Sequence, residues 1–347
     1  MVQKNGGKIS GIGQTRFAPT PSGFLHAGNA ANALITFGLA AKFGAKVLLR
    51  IDDLDATRVR PEYLQDIFEV LDGLQLHPDQ GPKNPAEMAE WSQHRRLKNY
   101  QQLLDQLVLT GRVYACRCSR NQLLQAGYGG RYPGICRHKN LPLDQPGLSW
   151  RLNTEGLEPV HWQDAWLGSQ TGQGAANEGD FVIRRKDGLP AYHVASLSDD
   201  VQFGINLIVR GQDLAGSTAT QLQLARLAGL EAFGKAVFVH HPLLKSPDGQ
   251  KLSKSAGAAA INRTASSNQA AENRLSPANS QSETTNTPSA PHSPGNRGPS
   301  PTEHYRNVAV LLGADPGQLP KEPTWADLLE VFDAHDLPHP GALHLSL

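Results

Sequence analysis

A histidine placed where a broken loop runs into a helix can meet an anionic phosphate. Here the stretch is Arg16-Phe-Ala-Pro-Thr-Pro-Ser-Gly-Phe-Leu-His26-Ala-Gly28-Asn29. Pro19 and Pro21 break regular pairing, Ser22-Gly23 makes a tight turn, and Ala31, Leu34, Ile35, Leu39 and Phe43 recur at helical spacing. The expectation is strand, loop, helix, with backbone N–H groups open at the helix mouth. Taken alone, such a turn is most often a connector. A second stretch, Lys251-Leu-Ser-Lys254-Ser255, follows the turn Ser246-Pro-Asp-Gly249. Two ammonium groups and two hydroxyls in five residues suit a clamp on a polyphosphate; in isolation they read as a solvated basic turn.

Charged residues also fall where strands are expected to end. Lys46 to Ile51 reads as a buried parallel strand and is followed by Asp52, Asp53 and Asp55. Ile205 to Val209 reads as another and is followed by Arg210. Ligands in open α/β sheets bind beyond the carboxyl ends of strands, so an arginine there can pair with a substrate carboxylate. The aspartates read equally well as turn and cap residues. The three cysteines lie close together, as Cys116-Arg-Cys118 and Tyr132-Pro-Gly-Ile-Cys136. An odd, tightly clustered set argues for a tetrahedral zinc knuckle rather than disulfides, with a structural role. By ligand chemistry His138 is the ordinary fourth donor.

These groups need a scaffold. Helices are expected from Pro61 to Leu74, from Trp91 to Leu109 and from Gln221 to Leu230, all as scaffold. Short strands are expected between Trp150 and Gly188, with a hairpin from Gly179 to His193 that turns at Asp187-Gly188. The chain of 347 residues is 39% hydrophobic and 19% charged with a formal net charge of +1, which excludes a global basic signature for nucleic acid. No apolar run approaches the ~18 residues of a membrane span, and Met1 to Gly11 lacks a signal-peptide core. A cytoplasmic location is expected. From 256 to 301 the chain is rich in Ala, Ser, Asn, Pro and Gly, the composition of a disordered insertion. Helical spacing returns from 302 to 347, as a helical C-terminal segment.

In this order, His26-Ala-Gly28-Asn29 and Lys251-Leu-Ser-Lys254-Ser255 resemble the HIGH and KMSKS motifs of class I aminoacyl-tRNA synthetases. Arg16-Phe-Ala-Pro-Thr-Pro-Ser-Gly, Arg50-Ile-Asp52-Asp53-Leu-Asp55 and Ile208-Val-Arg210-Gly-Gln-Asp213 narrow the resemblance to the glutamyl branch. It covers roughly Thr15 to Ser255. It implies a Rossmann-like α/β catalytic core over 12–255, with a zinc-bearing insert at about 76–190. It implies glutamate binding by Arg16, Ala18, Ser22, Asp52, Tyr192 and Arg210, and two arginines at one small pocket favour glutamate over glutamine. It implies ATP binding, with Mg²⁺, by His26, Gly28, Asn29, Lys251 and Lys254; His26, Lys251 and Lys254 would assist catalysis. The family has a glutamate at the position of Asp52, one carbon (about 1.5 Å) longer.

The short glutamyl-Q tRNA(Asp) synthetases carry C-x-C followed by Y-x3-C, with a tyrosine oxygen as the fourth zinc ligand. Cys116, Cys118, Tyr132 and Cys136 match that spacing. The 302–347 segment is far shorter than the roughly 100 residues of an anticodon-binding domain. The resemblance therefore implies a monomer that transfers glutamate to queuosine in the anticodon of tRNA(Asp). A minimal glutamyl-tRNA synthetase acting on the 3′ end of tRNA(Glu), or a catalytically silent tRNA-binding paralogue, are the alternatives.

Overall fold

The structure, a computed structural model, describes residues 11–128, 132–172, 179–244 and 300–335. In chain order its strands are β1 (Gln14–Phe17), β2 (Lys46–Leu49), β3 (Val113–Cys116), β4 (Ser149–Leu152), β5 (Val160–Asp164), β6 (Gly168–Gly172), β7 (Val182–Arg184), β8 (Leu207–Gly211) and β9 (Val237–His241). The α-helices are α1 (Ala27–Phe43), α2 (Pro61–Gly73), α3 (Met88–Trp91), α4 (Leu97–Leu109), α5 (Arg120–Gln125), α6 (Tyr192–Gln202), α7 (Ala215–Leu227), α8 (Glu231–Gly234), α9 (Pro301–Leu311) and α10 (Trp325–Ala334). The main sheet has the order β2-β1-β8-β9-β5-β6; all pairs are parallel except β5 with β6. The chain leaves β1 through α1 toward β2, and leaves β8 through α7 toward β9 on the other side. Strand order therefore reverses between β1 and β8, and the carboxyl ends of these two neighbours frame a crevice.

The apolar core lies on both faces of this sheet. One face packs α1, α2, α9 and α10; the other packs α4, α6, α7 and α8. Helix α1 is buried on nearly every side because it lies between the sheet and the α9–α10 pair. Its composition suits this: Gly38 has no Cβ, and an added one would stand 2.0 Å from the Phe332 ring. Lys42 donates to the carbonyls of Phe332 and His335, capping the end of α10. Gly44 closes α1 in the left-handed region at φ 69°.

Two expectations require correction. The helix expected from Trp91 to Leu109 is broken, because Asp53 accepts from the Ser92 hydroxyl (2.6 Å) and the Gln93 N–H (2.8 Å). That bonding turns the chain at Ser92 before α4 begins. The hairpin expected up to His193 has only one regular arm. After the turn at Gly188 (φ 87°) the chain makes a single bridge, Arg184 to Pro190, and enters α6 at Tyr192. Tyr192 thus starts a helix. Strands β3, β4 and β7 form a separate antiparallel sheet that carries the first two cysteines at its end. Strands β5 and β6 return to the main sheet. Among the described residues, no helix is long and apolar enough to cross a membrane.

His304 on α9 is 1% exposed, and neither ring nitrogen has a partner among the described residues. Burial pulls its pKa down to about 4. Its folded value lies below its unfolded value of about 6.5, so the unfolded chain binds the proton first. Stability should be full above about pH 6.5 and fall as pH drops toward 4, with His193, also held down to about 4, contributing in the same window. Urea midpoints from pH 7 to pH 5 test this: His304→Leu should flatten the fall, and an unchanged slope would refute the assignment.

Candidate active site at the reversal of strand order

His26 follows β1 on the crevice loop and caps α1. Its Nδ1 accepts from the N–H groups of Gly28 (3.1 Å) and Asn29 (3.3 Å), while the Asn29 side chain accepts from the His26 N–H (3.0 Å). This reciprocal box puts the neutral ring's proton on Nε2. A Cβ on Gly28 would stand 2.9 Å from the His26 ring, so a side chain there would push the capping ring aside. Ala18 and Ser22 lie on the same loop, half-buried. The loop is tied to the end of β2 by Asp52, whose N–H donates to the Pro19 carbonyl.

Behind the loop lies a buried chain of charges. Asp200 accepts on one oxygen from Arg16 Nε (3.0 Å) and Arg50 Nη1 (2.7 Å). Arg16 also donates to the Val209 carbonyl (3.2 Å). Arg50 grips Asp52 with Nε (2.7 Å) and Nη2 (3.2 Å). Burial favours a neutral Arg50, yet Asp52, Asp200 and Asp199 together hold its pKa well above the ordinary value. Burial, with Asp199 and Asp200 nearby, pushes Asp52 up against the opposing pull of Arg50. Both Asp52 oxygens are therefore already engaged, a tighter pairing than the sequence suggests for a group facing a substrate ammonium. Asp53 caps the turn at Ser92, and Asp55 accepts from the Thr57 hydroxyl (2.7 Å). For these two the cap and turn reading holds.

Arg210, at the end of β8, is 3% exposed. Its Nη2 donates to Gln221 Oε1 (2.8 Å), and Nε and Nη1 have no partner among the described residues. Burial, with Arg16 and Arg50 nearby, lowers its pKa to about 10, so it stays cationic at neutral pH. Tyr192 is 44% exposed at the start of α6, its ring 5.4 Å from that of His193. His193 bonds Ser217 (3.2 Å), and burial beside Arg210 keeps it neutral. His240 bridges Asp164 and Thr218. The sequence reading missed Asp200 and the α7 contacts. Their available signals were an acid pair in an apolar helical segment and Ser217, Thr218 and Gln221 on one helix face. Lys251 and Lys254 lie outside the described residues, as does the whole 256–299 stretch.

Some distance along the chain, Cys116, Cys118 and Cys136 bring their sulfurs within 4.8 Å of one another. Tyr132 Oη lies 3.2 Å from the Cys116 sulfur and 3.8 Å from that of Cys118, and Cys118 and Cys136 are 3.7 Å apart. A tetrahedral zinc with Zn–S near 2.3 Å needs sulfurs about 3.8 Å apart, so the donor set fits. Burial and the Cys116 sulfur push Cys118 up, a crowding that a divalent cation relieves by taking the donors as anions. Among the described residues the group that could hold a metal is made of these three cysteines, and no histidine or carboxylate joins it. The Arg151 guanidinium lies 3.7 Å over the Tyr132 ring.

A parallel sheet with a histidine-capped loop and buried arginines at its strand-order reversal has the architecture of a class I aminoacyl-tRNA synthetase catalytic domain. The family model for class I tRNA synthetases (E and Q), catalytic domain, matches residues 14–129 and 148–273, and the chain belongs to this family. It is a ligase of the aminoacyl-tRNA synthetase type. Among its relatives, a glutamyl-Q tRNA(Asp) synthetase of Synechococcus sp. is 40% identical over 253 residues, which is 71% of this chain and 80% of that protein. One from Verminephrobacter eiseniae is 38% identical, over 72% of this chain and 85% of its own. A solved glutamate-tRNA synthetase from Elizabethkingia anophelis superposes with a TM-score of 0.59 at 26% identity, over 70% of this chain; the chain spans about half (52%) of that protein.

Proposed function

We propose that this enzyme joins L-glutamate to ATP as glutamyl-adenylate and transfers the glutamyl group to queuosine in the anticodon of tRNA(Asp). The observation that carries the amino-acid half is Arg210, a buried cation whose Nε and Nη1 have no partner among the described residues. A glutamate carboxylate would satisfy it; the neutral amide of glutamine would leave it unmatched. Arg16, Ala18, Ser22, Asp52 and Tyr192 complete the glutamate pocket in this reading. His26, Gly28 and Asn29, with Lys251 and Lys254, take ATP and its Mg²⁺.

In the first step a glutamate carboxylate oxygen attacks the α-phosphorus and pyrophosphate leaves. The protein positions the reactants and stabilises charge on phosphate oxygens. His26 Nε2–H donates to a phosphate oxygen, because Nδ1 is committed to the cap. Lys254, with Lys251, neutralises the departing pyrophosphate. Cys116, Cys118, Tyr132 and Cys136 would hold a structural zinc beside the small sheet; with four protein donors it would support the fold rather than the chemistry.

The acceptor half is supported by likeness to glutamyl-Q tRNA(Asp) synthetases over most of their length. The second reading, transfer to the 3′ end of tRNA(Glu), is favoured by a glutamate–tRNA ligase of Syntrophus aciditrophicus, 36% identical but matched over 53% of its length. We place the enzyme in the cytoplasm as a monomer. Pyrophosphate exchange into ATP tests the amino-acid half: glutamate should support exchange and glutamine should not. Equal exchange with both, or none with either, would overturn it.

A further inference from the structure

Three arginines line the reversal crevice, and they are held in different ways. Arg16 is held by Asp200, and Arg50 by Asp52 and Asp200, so their charges are matched within the protein. Arg210 is the exception: its side-chain partner is the neutral Gln221. Gln221 is fully buried on α7, and its Oε1 faces Nη2 at 2.8 Å. The same helix face bonds two more residues of the crevice, Ser217 to His193 and Thr218 to His240. Gln221 stands four residues beyond Ser217 and three beyond Thr218, spacings that put it beside both on one helix face. Helix α7, read from sequence as scaffold, is thus a polar brace behind the strand ends.

We infer that Gln221 is a positioning residue that fixes Arg210 without cancelling its charge, and so sets the preference for an acidic amino acid. A neutral acceptor restrains the guanidinium and leaves its charge for the substrate. A carboxylate at the same place would pair with Arg210 and compete with the substrate carboxylate. An apolar side chain would leave the charge but release the guanidinium from its fixed aim. This inference rests on the reading of Arg210 as the ligand of the substrate carboxylate.

The test is glutamate-dependent pyrophosphate exchange with Gln221→Glu, Gln221→Met and Arg210→Ala, with ATP KM and melting temperature measured on each. Gln221→Glu should raise the glutamate KM about 30-fold or more, with kcat within about threefold and ATP KM unchanged. Its glutamate-over-glutamine ratio of kcat/KM should fall at least tenfold. Gln221→Met, close in volume to glutamine, should raise the glutamate KM about tenfold and keeps the test open should the charged variant not fold. Wild-type glutamate KM in either folded variant, while Arg210→Ala is inactive, would make Gln221 a packing residue and leave the Arg210 reading intact. Parallel rises in glutamate and ATP KM would also overturn the inference. Wild-type exchange by Arg210→Ala would instead overturn the pocket reading on which it rests.

Discussion

Arg210→Ala should lower kcat/KM for glutamate by about a thousandfold or more, roughly 4 kcal/mol of transition-state stabilisation, while ATP KM stays within about threefold. The magnitude follows from where the guanidinium sits. It is buried at the carboxyl end of β8, with Nε and Nη1 unmatched among the described residues. A substrate carboxylate would meet a desolvated cation, the setting in which a charge-assisted bond is strongest. The same setting gives the opposite sign for stability. Burial, with Arg16 and Arg50 nearby, pulls the Arg210 pKa down to about 10, so its buried charge is only partly offset by Asp200 and Tyr192. Arg210→Ala should therefore melt no earlier than the wild type, and calorimetry alongside pyrophosphate exchange checks both halves. Loss of activity and stability together would mean that Arg210 is structural.

The second large effect belongs to the proposed zinc knuckle. Cys136→Ser, or prolonged chelation, should remove about one equivalent of zinc and destabilise the β3–β4–β7 sheet. Structural zinc sites are worth about 10–16 kcal/mol of apparent binding energy in isolated peptides, and part of that would support the local fold here. Cys116, Tyr132 and Cys136 form their own small cluster, apart from the two cores that flank the main sheet. The loss should thus be local: faster proteolysis between 113 and 184, with glutamate-dependent exchange falling less than about tenfold. Metal analysis and cobalt substitution, with the absorption of tetrahedral thiolate–cobalt, read the site directly. A metal-free wild type with an intact small sheet would contradict the proposal.

The fold of the core was legible because its elements are locally consistent. Apolar spacing from Ala31 to Phe43 and the short Val/Leu runs of β2 and β8 leave few alternatives. Arg210 stands out as a charge at a strand end, whereas the His26 turn, read alone, is most often a connector and becomes a candidate only beside the lysine motif and the family resemblance. What sequence could not show was pairing. Asp52 reads from sequence as a substrate ligand, and the bonds that Arg50, two residues earlier, makes to both of its oxygens carry no signal in the spacing. Sequence spacing assigns no role to Asp199 and Asp200; burial on α6 makes them anchors for Arg96 and Arg16. The break at Ser92 depends on Asp53, 39 residues away in sequence, a distance over which spacing carries no signal. The proposal of Tyr132 rather than His138 as the fourth donor rests on family likeness, since ligand chemistry alone favours the histidine. Local pattern reveals elements; long-range bonds decide sites.

The central claim is the acceptor, and one transfer experiment tests it. Labelled glutamate, ATP and the enzyme are incubated with tRNA(Asp) that carries queuosine, with tRNA(Asp) that lacks it, and with tRNA(Glu). Ribonuclease mapping then locates the label. The account predicts label on queuosine-containing tRNA(Asp) alone, in the anticodon fragment. Label on the 3′-terminal adenosine of tRNA(Glu) would contradict it and make this a short glutamyl-tRNA synthetase.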